Sequence, residues 1–408
     1  MALGTRGDVQ PYVALGAGLR QAGYTVTIAA PENFAALATA HRLDFYPLEG
    51  DSRTLMAGHY GQKYINTGRN QLRYLYTFAQ MAEERGDAHL KVALDATHNA
   101  DAIVYNTYAW SGYHIGEKRG IPTFAAWIFP FTPSKSQPPF SFPPWLRLGK
   151  WFNRASFELY DVAMQVMFGG VLKRWRRDLG LPPMGRGIFA HMLMRNLPIL
   201  HAYSPLVSPA AADWPPRFPV TGYWFMEQAW EPPAELVAFL AAGEPPVYVG
   251  FGSLVGPHVE RANRAAIDAL RTTGQRGIVA TSQTDIEGDD QIFVVRYADH
   301  AWLFPRVAAV MHHGGAGTTS AGLRAGVPTI TVPFMLDQFY WGQRVRAIGA
   351  GTAPIYARRL TTRRLARRIQ TAVADTTMRQ RAKAIGEQLR QEDGIRNAVA
   401  FMRPYLDG

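Results

Sequence analysis

Residues 311–338, MHHGGAGTTSAGLRAGVPTITVPFMLDQ, put paired histidines, three glycines and two threonines directly after an apolar run. Residues 308–311 read as a short buried strand, and the glycine-rich run 312–319 as a turn into a helix ending near Gly326. A helix start carries free backbone N–H groups that attract an anion. Glycines let the backbone approach a phosphate closely, the threonine hydroxyls add donors, and His313 offers a hydrogen bond or a positive charge. The anion expected is a diphosphate. A second strand, 328–333, returns the chain to the same sheet edge, where Asp337 and Gln338 present a carboxylate and an amide suited to sugar hydroxyls. The same residues also admit a plain strand-to-helix connection and a helix cap, and both readings stay open on the residues alone.

A second candidate is Asp8, in the loop Gly4-Thr5-Arg6-Gly7-Asp8-Val9-Gln10 after a strand stub at Ala2-Leu3. The loop lacks the G-x-G-x-x-G spacing and the Lys-Ser/Thr of a P-loop. It sits at the carboxyl end of the first strand, where open α/β sheets bind ligands. Asp8 is therefore a candidate general base, or a cap for a helix opening at Pro11.

Taken together, HHGGAGTT, GLRAGVPTI and DQFYWG resemble the donor-binding signature of GT-B glycosyltransferases of the UDP-glycosyltransferase type (family 1). The similarity is greatest to sterol 3β-glucosyltransferases and the related antibiotic and macrolide glycosyltransferases. The resemblance implies that Ser253 (in Gly250-Phe251-Gly252-Ser253), His313, Gly315, Gly317 and Thr318 contact the donor diphosphate. By the same resemblance Asp337 and Gln338 hold the sugar, and Asp8 is the general base. Aligned through Trp302-Leu303-Phe304-Pro305, Tyr297 would stack on the nucleobase and the Ala298 amide would pair with it. Asp299 stands where the family has Pro, and Ala321 where plant relatives have a ribose-binding Glu. The acceptor pocket implied is lipophilic, with Trp127, Phe129, Phe152, Met164 and Met167 in its wall.

These sites need a frame. A chain of 408 residues, 47% hydrophobic and 18% charged, is globular and long enough for two domains. Runs 24–29, 101–105 and 122–127 read as strands alternating with helices, the second of them at 113–119, and 246–250, 277–281 and 292–295 repeat the rhythm. The fold class expected is α/β: GT-B, two Rossmann-like domains facing a cleft. The divisions expected are an acceptor domain 1–215, a proline-marked linker 216–243, a donor domain 244–392, and a final helix 393–408 returning to the first domain. Val399, Phe401, Met402 and Tyr405 are its expected buried stripe.

Residues 49–84 show no clear period, and 129–144 are too rich in Pro, Phe and Ser to be regular. Residues 145–177 then carry Trp145, Leu148, Phe152, Phe157, Tyr160, Met164 and Met167 at helical spacing, as core or as pocket wall. The basic run Lys173-Arg174-Trp175-Arg176-Arg177 could lie on an anionic membrane. His191 and His201 lack metal spacing and read as structural.

Zero cysteines exclude disulfides and thiolate chemistry, and no H-E-x-x-H is present. The net charge of +11 comes from dispersed arginines without a nucleic-acid signature. No apolar run spans a bilayer and no leader-like segment opens the chain, so the expected location is cytoplasmic, with peripheral membrane contact at most.

The reaction expected is transfer of a hexose, glucose first, from a UDP-sugar to a hydroxyl of a sterol-like acceptor, with inversion. No metal or other cofactor is expected, since protein donors handle the diphosphate charge. A tailoring enzyme for macrolides, polyketides, flavonoids or glycopeptides with a UDP- or dTDP-sugar is the alternative. A UDP-sugar epimerase and a non-catalytic lipid- or nucleotide-binding protein of this fold are the more distant ones.

Overall fold

Short parallel strands connected through helices on the sheet faces leave little choice but doubly wound sheets. The computed structural model describes the chain except residues 49, 51–53, 55–57, 60, 62, 64–69, 141, 143–147 and 186. It divides into two units, Met1–Met226 with Asp393–Gly408, and Glu227–Glu392.

In the first unit β1 (Thr27–Pro31) pairs with β2 (Asp44–Leu48), and β3 (Ile103–Tyr105), β4 (Thr123–Trp127) and β5 (Ile199–His201) form a second parallel ladder. The helices α1 (Arg6–Gln21), α2 (Ala35–Ala40), α3 (Gln71–Ala96), α4 (Ser111–Arg119), α5 (Gly149–Asp178) and α6 (Ile188–Met194) connect them. The stub at the start closes the gap between the ladders. Ala2 N–H donates to Ala29 O at 2.9 Å, while Met1 N donates to Val104 O and Asn106 N–H to Met1 O at 2.7 and 3.1 Å. Counting the stub as the first strand, the order is 3-2-1-4-5-6, the Rossmann arrangement, with the switch point between the stub and β3. The stub is too short for a regular strand, but both its edges are paired.

In the second unit β6 (Val247–Gly250), β7 (Gly277–Ala280), β8 (Ile292–Val295), β9 (Ala309–His312) and β10 (Thr329–Thr331) are all parallel, in the order β10-β9-β6-β7-β8. This is again 3-2-1-4-5, and its switch point lies between β6 and β9. The helices are α7 (Ala234–Ala241), α8 (Pro257–Thr273), α9 (His300–Leu303), α10 (Ala316–Ala325), α11 (Gln338–Ala347), α12 (Thr362–Ala374) and α13 (Thr376–Gln391). Leu236, Ile278, Leu303, Phe304 and Val310 lie in its buried core. Arg363, Arg364 and Arg367 are exposed on α12, with Arg368 half-buried.

The last helix, α14 (Gly394–Leu406), belongs to the first unit. A Cβ on Gly394 would lie 2.4 Å from Tyr223 O, and Asn397 donates to Thr221 O at 2.9 Å. Val399 and Met402 are buried, and the Tyr405 ring packs edge-on against Phe124 at 5.4 Å although much of it stays exposed.

Three expectations change. Helix α1 opens at Arg6, and Pro11 lies inside it; Asp8, reaching back to Thr5, starts the helix earlier than the proline would. Residues 216–226, expected in the linker, fold into the first unit, where Phe218 and Trp224 are buried. Just ahead of them Trp214 stacks on His201 at 4.1 Å. The run 173–177 is a basic surface only in part: Lys173 and Arg177 are exposed, but Trp175 and Arg176 are buried, with Arg176 paired bidentately to Glu117 at 2.7 and 3.0 Å. Trp145 lies outside the described residues.

Candidate active site

The switch point of the second unit brings together two loops from distant parts of the chain. Strand β6 ends at Gly250 and leads into Phe251, Gly252 and Ser253; strand β9 ends at His312 and leads through His313, Gly314 and Gly315 into α10. Gly315 is the N-cap of α10 and has no side chain with which to occupy the first-turn amides. The N–H groups of Ala316, Gly317 and Thr318 therefore point outward from a helix start.

The glycines here are required by contact. A Cβ at Gly252 (φ +66°) would lie 2.9 Å from His313 Cε1, and one at Gly315 would lie 2.3 Å from His313 Nε2. The imidazole is thus clamped between the two loops. Its Nδ1 is buried without a hydrogen-bond partner, and burial, aided by nearby His300, lowers its pKa to about 4. Of the two roles open to His313, the hydrogen bond from a neutral ring is the one this setting favours.

His312 serves the turn. Its Nδ1 accepts from Gly314 N–H at 3.0 Å, and burial holds its pKa well below the usual range. Gly314 (φ +89°) passes so close to α11 that a Cβ would sit 2.8 Å from Gln338 O. That contact fixes the turn after β9 against the Asp337-Gln338 pair. Gln338 is buried, and its Oε1 accepts from Phe334 and Met335 N–H at 2.9 and 3.1 Å, so only its amide nitrogen remains for a ligand. Asp337 is half-buried and accepts from Trp341 Nε1 at 3.0 Å. Leu336 beside it has φ +51°, a conformation that costs a branched residue energy and is held here by the turn.

Tyr297 and Ala298 lie farther along the same unit. Ala298 is buried in the core, while Tyr297 is 42% exposed, its OH accepting from Gln228 Nε2 at 2.7 Å. Asp299 caps α9, its Oδ1 accepting from Trp302 N–H at 2.9 Å. His300 stacks on Phe304 at 4.3 Å, with its Nε2 3.3 Å from Tyr248 OH.

In the first unit Asp8 lies in the first turn of α1. Its Oδ2 accepts from Thr5 N–H at 2.8 Å and Thr5 Oγ1 at 2.9 Å. Gly4 (φ +116°) makes room, since a Cβ there would lie 2.6 Å from Oδ2. Burial outweighs these bonds and raises the carboxyl to about 6. Asp8 is thus both a cap and a carboxylate with a base strength close to neutral pH. Burial raises the pKa of Tyr12 and of Tyr74 on α3, and the charge of Asp8 adds to the rise in both.

The apolar candidates do not all meet. Trp127 and Phe129 join one aromatic cluster through Phe131, at 5.9 and 5.5 Å, and Tyr160 on α5 packs edge-on against Phe131 at 5.7 Å. Trp127 Nε1 is buried there without a partner. Met164 is buried on α5 and Met167 is half-buried, while Phe152 packs against Phe142 at 5.5 Å. Tyr74 and Tyr108, with hydroxyls 3.5 Å apart, were absent from the expected site. Tyr74 falls in the stretch without period, and nothing local announces it. Among the described residues no group of three or more His, Asp or Glu side chains could hold a metal ion.

Residues 1–138 match the glycosyltransferase family 28 N-terminal domain, and residues 280–394 match the erythromycin biosynthesis protein CIII-like C-terminal domain. A sterol 3-beta-glucosyltransferase of Cryptococcus neoformans is 34% identical over 430 residues, which covers 98% of this chain and 26% of the relative. The chain thus spans about a quarter of that relative's length. Among solved structures, the calicheamicin glycosyltransferase CalG4 superposes with a TM-score of 0.72 at 17% identity, covering 99% of this chain and 96% of that one. The glycosyltransferase VinC in complex with dTDP gives 0.69 at 19%, covering 100% and 98%. The two domain matches stand in sequence order, so the chain joins a region like the family 28 N-terminal domain to one like the CIII-like C-terminal domain, and it shares the GT-B fold of the solved structures.

Proposed function

We propose that the chain transfers a hexose, glucose first, from a UDP-sugar to a hydroxyl of a lipophilic, sterol-like acceptor, with inversion at the anomeric carbon. The observation that carries the reading is the Asp8 carboxyl, half-engaged by Thr5, raised to about 6, and set among tyrosines at a strand's carboxyl end. An alcohol is far too weak an acid for a carboxylate to ionise beforehand. Proton transfer to Asp8 therefore accompanies attack of the acceptor oxygen on the anomeric carbon. The bond to the diphosphate oxygen breaks as the new bond forms, and the electron pair leaves with the diphosphate.

Ser253, His313, Gly315, Gly317 and Thr318 receive that developing charge through neutral donors and backbone N–H groups. Asp337 and the Gln338 amide nitrogen hold the sugar, and Tyr297 with the Ala298 amide takes the base. Trp127, Phe129, Phe152, Met164 and Met167 contribute to the acceptor side together with Tyr74 and Tyr160. No metal or other cofactor enters the scheme. The proposed place of action is the cytoplasm, with peripheral membrane contact, since a sterol-like acceptor resides in membranes.

A tailoring enzyme for a macrolide, polyketide, flavonoid or glycopeptide, using a UDP- or dTDP-sugar, is the second reading. It is favoured by the likeness to CalG4 and to VinC in complex with dTDP. The test is incubation with UDP-glucose or dTDP-glucose and a panel of sterols, macrolides, flavonoids and sugars, read by mass spectrometry with and without EDTA. A glucosylated sterol formed from UDP-glucose, undiminished by EDTA, is the expected outcome. Transfer to sugars in preference to every apolar alcohol would refute the acceptor assignment, and donor consumption without any acceptor would favour an epimerase.

A further inference from the structure

Helix α5 is apolar on two faces. One is core: Phe157, Met164, Phe168, Leu172 and Trp175 are buried. The other lies in solvent, where Trp151 is 84% exposed, Val166 76% and Leu159 70%, with Leu148 and Val162 also more than half exposed. With exposed Ala155, these positions follow one another at steps of three or four residues, which keeps them on a single stripe. At about 1.5 Å per residue the stripe runs for roughly 27 Å. A continuous apolar surface of that length marks an interaction site.

The charges around it select the partner. Continuing by the same steps, exposed Lys173 and Arg177 fall on the same line, and Lys150 and Arg154 flank its other end. The carboxylates on this exposed face of α5, Glu158 and Asp178, are paired with Arg154 and Arg177. A second copy of the chain packed along the stripe, parallel or antiparallel, would set cations against cations. An anionic lipid surface takes the apolar stripe into its interface and answers the cations with phosphate. No helix among the described residues is long and apolar enough to cross a membrane, so such a contact runs along the surface.

We propose that α5 lies on an anionic lipid bilayer, burying Trp151, Leu159, Val162 and Val166 at the interface with Lys150 and Lys173 at headgroup phosphates. This deepens the membrane contact proposed above by naming its surface, and its test needs neither donor nor acceptor.

The full chain is floated with vesicles of phosphatidylcholine alone, or containing roughly three parts in ten phosphatidylglycerol. Binding to the anionic vesicles is expected, weakening as salt rises. Leu159→Glu with Val166→Glu should lower it by about tenfold or more. Lys150→Glu with Lys173→Glu should remove the preference for anionic vesicles. Circular-dichroism melting checks folding, and Trp151→Ser, a change to an exposed side chain, serves if a double variant melts early.

Wild-type protein that stays unbound with both vesicle types overturns the proposal, as does binding that neither the stripe variants nor the lysine variants alter. A wild-type dimer in sedimentation velocity that Leu159→Glu with Val166→Glu dissociates would overturn it in favour of a second copy. A chain that binds vesicles but transfers no glucose to detergent-solubilised sterol would sink the proposed reaction and leave this inference standing.

Discussion

Each unit has a helix that starts at the switch point of a parallel sheet, and the two starts are built in opposite ways. In α1 the first turn carries its own carboxylate, Asp8, which satisfies Thr5 N–H and Oγ1. In α10 the N-cap is Gly315, and the first-turn amides stay open beside a neutral His313. A helix start with a resident anion cannot also be an anion receptor, but it can hold a base; a helix start without one attracts phosphate. On the proposed function the same topology carries acid–base work in one unit and charge reception in the other, through the choice of a few residues.

The comparison breaks most sharply at Asp8. Asp8→Asn keeps an acceptor for Thr5 N–H and removes the base, so turnover should fall by about 10²-fold or more while donor affinity stays within a few-fold. Steady-state rates with a saturating alcohol and calorimetry with UDP decide it. Near-full turnover in the Asn variant would leave Asp8 a cap and nothing else.

Gly315→Asp makes α10 resemble α1. The new carboxylate would compete for the first-turn amides and repel a diphosphate, and its Cβ would press on His313. UDP affinity should drop by roughly tenfold to 10²-fold, with Gly315→Ala showing the share due to the steric clash alone. An Asp variant that binds UDP like wild type would remove the helix start from the donor site.

His313→Ala should weaken UDP and UDP-glucose together, by about tenfold, the worth of one hydrogen bond to a charged group. Asp337→Ala should weaken UDP-glucose and spare UDP. Equal losses of both ligands in the Asp337 variant would end its assignment to the sugar.

The pH responses should differ between the units too. The base must be ionised, so kcat/KM should rise with pH through a midpoint near pH 6 and level off above it; His313, lowered to about 4, should add no limb near neutrality. A limb that persists near pH 6 in Asp8→Asn would assign it elsewhere. The smallest effect is on stability. The folded-state pKa of Asp8 is raised, so between about pH 4 and 6 the folded state binds more protons and loses stability as pH rises. Asp8→Asn should therefore gain on the wild type by about 1–2 kcal/mol from pH 4 to pH 7, read as a growing difference in Tm.

Part of this was written in the sequence and part was not. The turn after β9 was legible because its determinants are neighbours: an apolar strand, glycines where a Cβ would collide, and a helix start, all within 309–326. Most of the parallel strands were legible for the same reason, as apolar runs ended by polar or glycine residues, whereas β2, with only Leu48 buried, carries no such run. Asp8 could be picked out by its place after the first strand, but its elevated pKa comes from burial that a local pattern does not record. The strand stub gains its identity from Ala29 and Val104, far along the chain.

The run 173–177 shows the opposite case. Of five residues that read as a charged surface, two become buried anchors, because Glu117 and Gly86 on other helices accept from Arg176 and Trp175. Tyr74 and Tyr160, from α3 and α5, approach Asp8 or its aromatic surroundings only after both helices have packed. Local steric and hydrogen-bonding preferences act over a few residues, so the sequence alone determined the glycine-rich turn after β9, the parallel α/β rhythm and the candidate base. Desolvation and side-chain pairing act between residues a hundred positions apart, so only the tertiary structure decided which charges are buried, which tyrosines surround Asp8, and that one face of α5 is left to solvent.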